Sequence, residues 1–120
     1  MIRLKRVYER PSQDDGFRLL VERLWPRGRS KPDAQIDLWL KEIAPSPELR
    51  KWYQHDPARW DEFKQRYLAE LKQNPVMADM LHVLRDNKVV TFIFAAKDEE
   101  RNSARVLKEF LEEQPITHAA

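Results

Sequence analysis

The chain has 120 residues, 42% of them hydrophobic, and a net charge of +2. That length suits one domain with a core of its own, and that hydrophobic content excludes a disordered chain. The absence of cysteine excludes disulfides, thiolate nucleophiles and cysteine metal sites, and no run of about 18 apolar residues is present to span a bilayer.

The charge is unevenly spread. Residues 1–31 hold nine basic side chains (Arg3, Lys5, Arg6, Arg10, Arg18, Arg23, Arg27, Arg29 and Lys31) against four acidic ones, a local excess of +5. A basic surface of that kind is the electrostatic precondition for binding an anion. A solvated strand face would produce the same count.

The opening MIRLKRVYER alternates apolar and charged residues, the period of a half-exposed strand. It lacks the apolar centre of a signal peptide, so a cytoplasmic location is expected. Pro11–Gly16 is dense in turn formers. Phe17–Leu24 reads as a second strand with Phe17, Leu19 and Val21 on one side, able to pair with the first as a hairpin, although the loop also permits other pairings.

A long helical section follows. Asp33 or a near neighbour is expected to start a helix with Ile36, Trp39, Leu40 and Ile43 on one face. Ser46-Pro47-Glu48 then combines a capping hydroxyl, proline in the first helical position and an acid in the first turn. Asp56-Pro57 and Asn74-Pro75 repeat the device. The helices they open carry stripes of Trp60, Phe63, Tyr67 and Leu71, and of Met77, Met80, Leu81 and Leu84. Such stripes are core surfaces rather than cofactor boxes, and no cofactor is expected.

Val89–Ala95 is the one long unbroken apolar run, a strand buried on both faces. Asp98 is placed to cap the helix after it, whose inner stripe is Ala104, Leu107, Phe110 and Leu111. Pro115–His118 can add a short edge strand. These elements predict a single α/β layered domain over residues 1–120. Its mixed sheet would have three or four strands, with a long helical excursion between the second and third, some of it capping the sheet, and a covering helix at the end. The third strand is expected to run parallel to a neighbour through a right-handed crossover.

Ligands of open α/β sheets bind beyond the carboxyl ends of the strands, which directs attention to Ala96-Lys97-Asp98. The other distinctive polar stretch is Arg23-Leu24-Trp25-Pro26-Arg27-Gly28. Its arginines can offer planar forks to phosphate or carboxylate, and Trp25 a face for a ring. The alternative is that both arginines pair with acids of the helical section while Trp25 fills the core. Asp98 and Asn102, four apart, would share a helix face near free amides and Lys97, an anion site unless Asp98 occupies those amides itself. Arg50 and His55 flank a short helix. Histidine's ordinary titration suits acid or base work, though capping the end of the preceding helix is an equal use for His55.

No histidine has a partner at metal-ligand spacing, so no metal is expected. With two glycines a phosphate loop is excluded, and no nucleophile elbow or defensible carboxylate pair appears.

The segments LLVERLWPRG, LWLKEIAPSPELRKWYQHDPARWDEF and VTFIFAAKDEERNSARVL, which with the opening strand cover nearly the whole chain, resemble the YeaO-like branch of bacterial proteins grouped as domain of unknown function 488. The resemblance implies a compact, soluble α/β domain. It also implies that Arg23, Arg27, Ser46, Arg50, His55, Lys97, Asp98 and Asn102 are the family's recurrent polar residues. More distant branches carry Cys-His-Arg after the last buried strand. Here that region reads Ala-Ala-Lys-Asp, and thiol chemistry does not transfer.

Two functions follow from these residues. The first is a site for a small phosphate- or nucleotide-like anion between the RLWPRG loop and the Lys97-Asp98 turn. Arg23, Arg27, Ser46, Arg50, Lys97 and Asn102 would hold the ligand, Trp25 would cover a ring, and His55 or Asp98 would move a proton if turnover occurs. The alternative is a nucleic-acid or protein interaction module using the basic amino-terminal strand face.

Overall fold

The structure, a computed structural model, describes residues 1–113. Its centre is β4, Val90–Phe94, buried at every position. β4 lies between β1, Ile2–Arg6, and β2, Phe17–Leu20, and runs parallel to both. The register pairs Ile2 with Val90 and Arg6 with Phe94 on one side, and Phe17 with Val90 and Leu20 with Ile93 on the other. A two-residue strand β3, Leu38–Trp39, extends the sheet beyond β2, giving the order β1-β4-β2-β3.

The α/β class and the four strands agree with expectation. Two details do not. β1 and β2 are not a hairpin, and the sheet is parallel in every pairing rather than mixed. The cause is the apolar run of β4, which buries both faces and therefore belongs in the middle, where both of its edges find ladder partners.

The helix expected from Asp33 through Ile43 is also absent. Ser30 caps a single turn, α1, Lys31–Ala34, which ends at Gln35 with φ of 50°. Next come β3 and a 3₁₀ turn, Lys41–Ile43. Arg18 explains the break. Its guanidinium donates to the carbonyls of Ala34 and Gln35, while its backbone exchanges hydrogen bonds with Asp37, whose amide reaches the Arg18 carbonyl at 2.9 Å. The segment is thereby drawn alongside β2, where Leu38 and Trp39 pair with Leu19 and Leu20.

Two of the three expected proline starts open helical segments, and the third, Asn74-Pro75, makes a turn ahead of a helix that begins without a side-chain cap. Ser46 accepts from the Leu49 amide and opens α2, Pro47–Tyr53. Asp56 caps a 3₁₀ turn, Pro57–Arg59, that leads into α3, Trp60–Lys72. Asn74 accepts from the Val76 amide just before α4, Met77–Asp86. The last helix, α5, is Ser103–Glu112. Its cap is Asn102 rather than Asp98, so these two residues do not share a helix face. Asp98 instead binds the amides of Glu100 and Arg101 in a turn of its own. Residues 115–118 lie outside those described.

Two cores result. Leu19, Val90, Phe92 and Phe94 meet α2 to α5 on one face of the sheet through Leu49, Phe63, Tyr67, Met80, Leu84 and Leu107. On the other face Val7, Leu20 and Ile93 meet Ala34, Trp25 and Ile36. Near the amino end of β2, Asp15 ties three strands together. Its carboxylate takes Lys5 of β1 and Arg18 of β2, and its carbonyl accepts from the Thr91 hydroxyl of β4 at 2.6 Å. No helix among the described residues is long and apolar enough to cross a membrane.

Candidate functional site

Parallel strands deliver all their carboxyl ends to one side of the sheet, and a cleft of about 650 Å³ opens there. Tyr8 follows β1 into it, residues 22–27 follow β2, and Ala95 and Ala96 follow β4. α2 and the turn after it supply Arg50, Lys51, Tyr53 and His55, and the start of α5 supplies Arg101, Asn102 and Ser103. Its size suits a small molecule of drug-like dimensions.

Arg23 leaves the end of β2 and donates through Nη2 to the carbonyls of Ala44 at 3.0 Å and Pro45 at 3.4 Å. Its Nε is buried and has no hydrogen-bond partner among the described residues. Trp25 is divided between two roles: Nε1 donates to the Arg29 carbonyl at 2.7 Å and the ring meets Trp39 edge-on at 5.5 Å, yet the side chain also lines the cleft. Pro26 is buried beneath it. Arg27 is exposed at the rim, its carbonyl held by the Tyr8 hydroxyl at 3.0 Å. Among the described residues, neither Arg23 nor Arg27 forms an ion pair with an acid of the helical section.

α2 turns its exposed Arg50 and Lys51 toward the cleft. Gln54 and His55 then take left-handed backbone angles in succession, φ of 49° and 54°. Two adjacent non-glycine residues in that region are uncommon and mark a sharply specified turn. It carries His55 to the mouth of the cleft, its ring 5.9 Å from that of Tyr53. Behind them Tyr53, Trp60 and Phe63 form an aromatic wall, with Tyr53 stacked on Phe63 at 4.3 Å.

Of the residues expected at the site, Arg23, Trp25, Arg27, Arg50, His55 and Asn102 converge on the cleft. Asn102 spends its side chain locally, accepting from the Arg105 amide and donating to the Asp98 carbonyl. Ser46, Lys97 and Asp98 do not line it. Ser46 caps α2 and donates its hydroxyl to Glu70 at 2.6 Å. Asp98 is fully committed to its own turn, and the Arg101 and Glu100 amides hold its carboxyl below the ordinary value. The third side of the cleft is therefore Ala95, Ala96 and the start of α5, not the Lys97-Asp98 turn.

Besides Lys51 and Arg101, sequence reasoning missed Glu22. It stands at the floor, and its Oε1 accepts from the Ala95 amide at 2.9 Å, joining the chain beyond β2 to the chain beyond β4. Burial pushes its carboxyl above the ordinary value. The Ala95 amide and the fields of Arg50 and His55 oppose that push without cancelling it. One signal existed: a carboxylate one residue past the apolar run of a strand whose end borders the RLWPRG loop.

The basic amino-terminal face is largely spent inside the molecule. Lys5 and Arg18 pair with Asp15, Arg3 donates to the Asp14 carbonyl, and Arg6 donates to Ala95 and Ala96. Arg6 and Arg29 flank the Tyr8 ring at 5.1 and 5.4 Å.

A family model described as the inactive DUF488-N3 subclade matches residues 1–119. The chain is 44% identical over 110 residues to the uncharacterized protein Rv3073c of Mycobacterium tuberculosis, covering 92% of each chain. It is 42% identical over 110 residues to the uncharacterized protein YeaO of Escherichia coli, covering 92% of this chain and 96% of that one. No solved structure gives a significant match.

Proposed function

Since the chain belongs to the DUF488-N3 subclade described as inactive, we propose that it acts in the cytoplasm as a binding protein for a small phosphate-bearing anion with a flat ring, holding the ligand without transforming it. The observation that carries this reading is the charge of the cleft. Arg23, Arg27, Arg50, Lys51 and Arg101 line it against Glu22 as the one carboxylate among the described residues. Such a concave, positively charged surface concentrates anions. Arginine forks match phosphate geometry, and Arg27, Arg50 and Arg101 are exposed to offer them.

The aromatic wall of Tyr53, Trp60 and Phe63 supports the ring half of the reading, because flat ligands gain most from such surfaces. Binding without turnover is favoured over catalysis by the state of the two proton-transfer candidates. Asp98 stands outside the cleft, and among the described residues His55 forms no ion pair or hydrogen bond with an acid, reaching Glu22 only through its field. The alternative, a nucleic-acid or protein module, is weakened because Lys5, Arg6 and Arg18 are engaged by this chain's own groups.

Titration calorimetry with ribose 5-phosphate tests the reading. A saturable site is expected, weakened about tenfold or more in Arg50→Ala, since a hydrogen bond to a charged group contributes about 1.5–3 kcal/mol. Lys97→Ala, outside the cleft, is the matched control and is expected to bind as the parent does. No binding by the parent, or equal losses in both variants, would overturn it.

A further inference from the structure

We infer that the cleft's ligand is a nucleoside monophosphate whose base carries an exocyclic amino group, and that Glu22 accepts a hydrogen bond from that group; this rests on the anion-binding reading above. The argument begins with where the charges stand. The cations Arg27, Arg50, Lys51 and Arg101 are exposed around the rim, whereas Glu22 lies deeper, at the floor. A phosphate therefore docks at the mouth, and whatever it is attached to reaches inward.

The inner part of the cleft is an aromatic wall and one carboxylate. Glu22 Oε1 is held by the Ala95 amide, while Oε2 makes no hydrogen bond among the described residues and retains access to the cleft. Solvent reaches that oxygen, so a ligand that fills the cleft must donate to it in place of water or leave it unsatisfied. An acid in an anion site would otherwise repel the ligand. Both problems vanish if the inward part of the ligand is a flat ring that presents an exocyclic amino group to Oε2. An amino-bearing base such as cytosine or adenine meets that description. In the same pose its oxo counterpart, uracil or hypoxanthine, would turn its exocyclic carbonyl oxygen toward Oε2 and leave two acceptors facing each other, and the base would have to shift to bring its ring N–H there instead.

The prediction is tested by titrating the full chain at neutral pH with CMP against UMP, AMP against IMP, and ribose 5-phosphate as the anion alone. In at least one pair the amino nucleotide is expected to bind about tenfold tighter or more, because sites built on a hydrogen bond reject analogues that lack the partner. In Glu22→Gln the ratio is expected to fall toward one. Equal affinities within both pairs, with ribose 5-phosphate still bound, would overturn this inference and leave the anion site standing. A preference that persists unchanged in Glu22→Gln would remove Glu22 from the recognition. No binding by ribose 5-phosphate or any nucleotide would overturn the anion site and this inference with it. The comparison within the parent protein decides the matter even if the variant fails to fold.

Discussion

The Asp15 carboxylate and the Arg18 guanidinium meet at 2.5 Å with both side chains buried. Neither is near the cleft. Removing one partner of such a pair leaves a buried charge without compensation, which costs about 3–5 kcal/mol. Asp15→Ala is therefore expected to lose that much stability by urea unfolding at neutral pH. Burial alone would raise the Asp15 carboxyl, but Lys5, the Ser12 amide and Arg18 more than offset it and hold it below its ordinary value of 3.8. Its contribution is thus complete above 3.8 and is lost as the pH falls through the lowered folded value. The parent should lose stability in that acid range more steeply than Asp15→Ala does.

Glu22 titrates with the opposite sign. Burial raises its folded carboxyl above the ordinary 4.5, so the folded chain keeps a proton that the unfolded chain has released. Its contribution is greatest below 4.5 and declines as the pH rises through the raised value. Glu22→Gln keeps an acceptor for the Ala95 amide and removes the charge. The variant should melt above the parent at neutral pH, with the difference shrinking toward pH ~4; a lower melting temperature at both ends would refute this account of the floor.

Tyr67 is buried and donates its hydroxyl to the Ile43 carbonyl at 2.7 Å. Tyr67→Phe leaves that carbonyl unpaired and is expected to cost about 1–3 kcal/mol in chemical denaturation. Burial first, then Glu70 and Glu22, push its phenol far above the ordinary range. Of the three tyrosines, Tyr67 should remain un-ionised in an alkaline absorbance titration until the fold opens. Tyr53, raised by burial and by the field of Asp98, should titrate above its ordinary value of 10.0.

The two glycines are expected to differ. At Gly16, with φ of 61°, a Cβ would stand 2.4 Å from the Val89 carbonyl oxygen, a backbone atom that also accepts from the Phe17 amide. At Gly28, with φ of 75°, it would meet nothing within 4 Å. Gly28→Ala should cost only the left-handed conformation, about 1–2 kcal/mol. Gly16→Ala adds the clash at the start of β2 and should be clearly the more damaging in a thermal melt.

Local chemistry was legible in the sequence, and long-range pairing was not. Ser46-Pro47 and Asp56-Pro57 each carry their cap and proline within a few positions and start a helical segment, whereas Asn74-Pro75 makes a turn just ahead of α4, which has no side-chain cap. The run of β4 announced a strand buried on both faces. By contrast, Ile36, Trp39, Leu40 and Ile43 have helical spacing, and what breaks the helix is Arg18, which binds the carbonyls of Ala34 and Gln35 from a strand already laid down. At the site, the loop bearing Arg23 and Arg27 was visible because its residue types are unusual. Glu22 was hidden because, within an alternating strand, it resembles any outward-facing charge. Only the arrival of Ala95 beside it makes it a floor.

The position of β4 in the sheet also sets the order in which the molecule can be assembled. Ile2 and Phe17 both find their ladder partner at Val90. A chain emerging from the ribosome therefore exposes both flanking strands long before the strand between them exists. Closing such distant segments is slow, and the wait leaves open edges on which other chains can template. During that interval the positive charges on Arg3, Lys5 and Arg6 lie along β1, one of the strands left waiting. Charge along an exposed strand disfavours pairing with another chain, which is what these residues bring to β1 before the sheet closes.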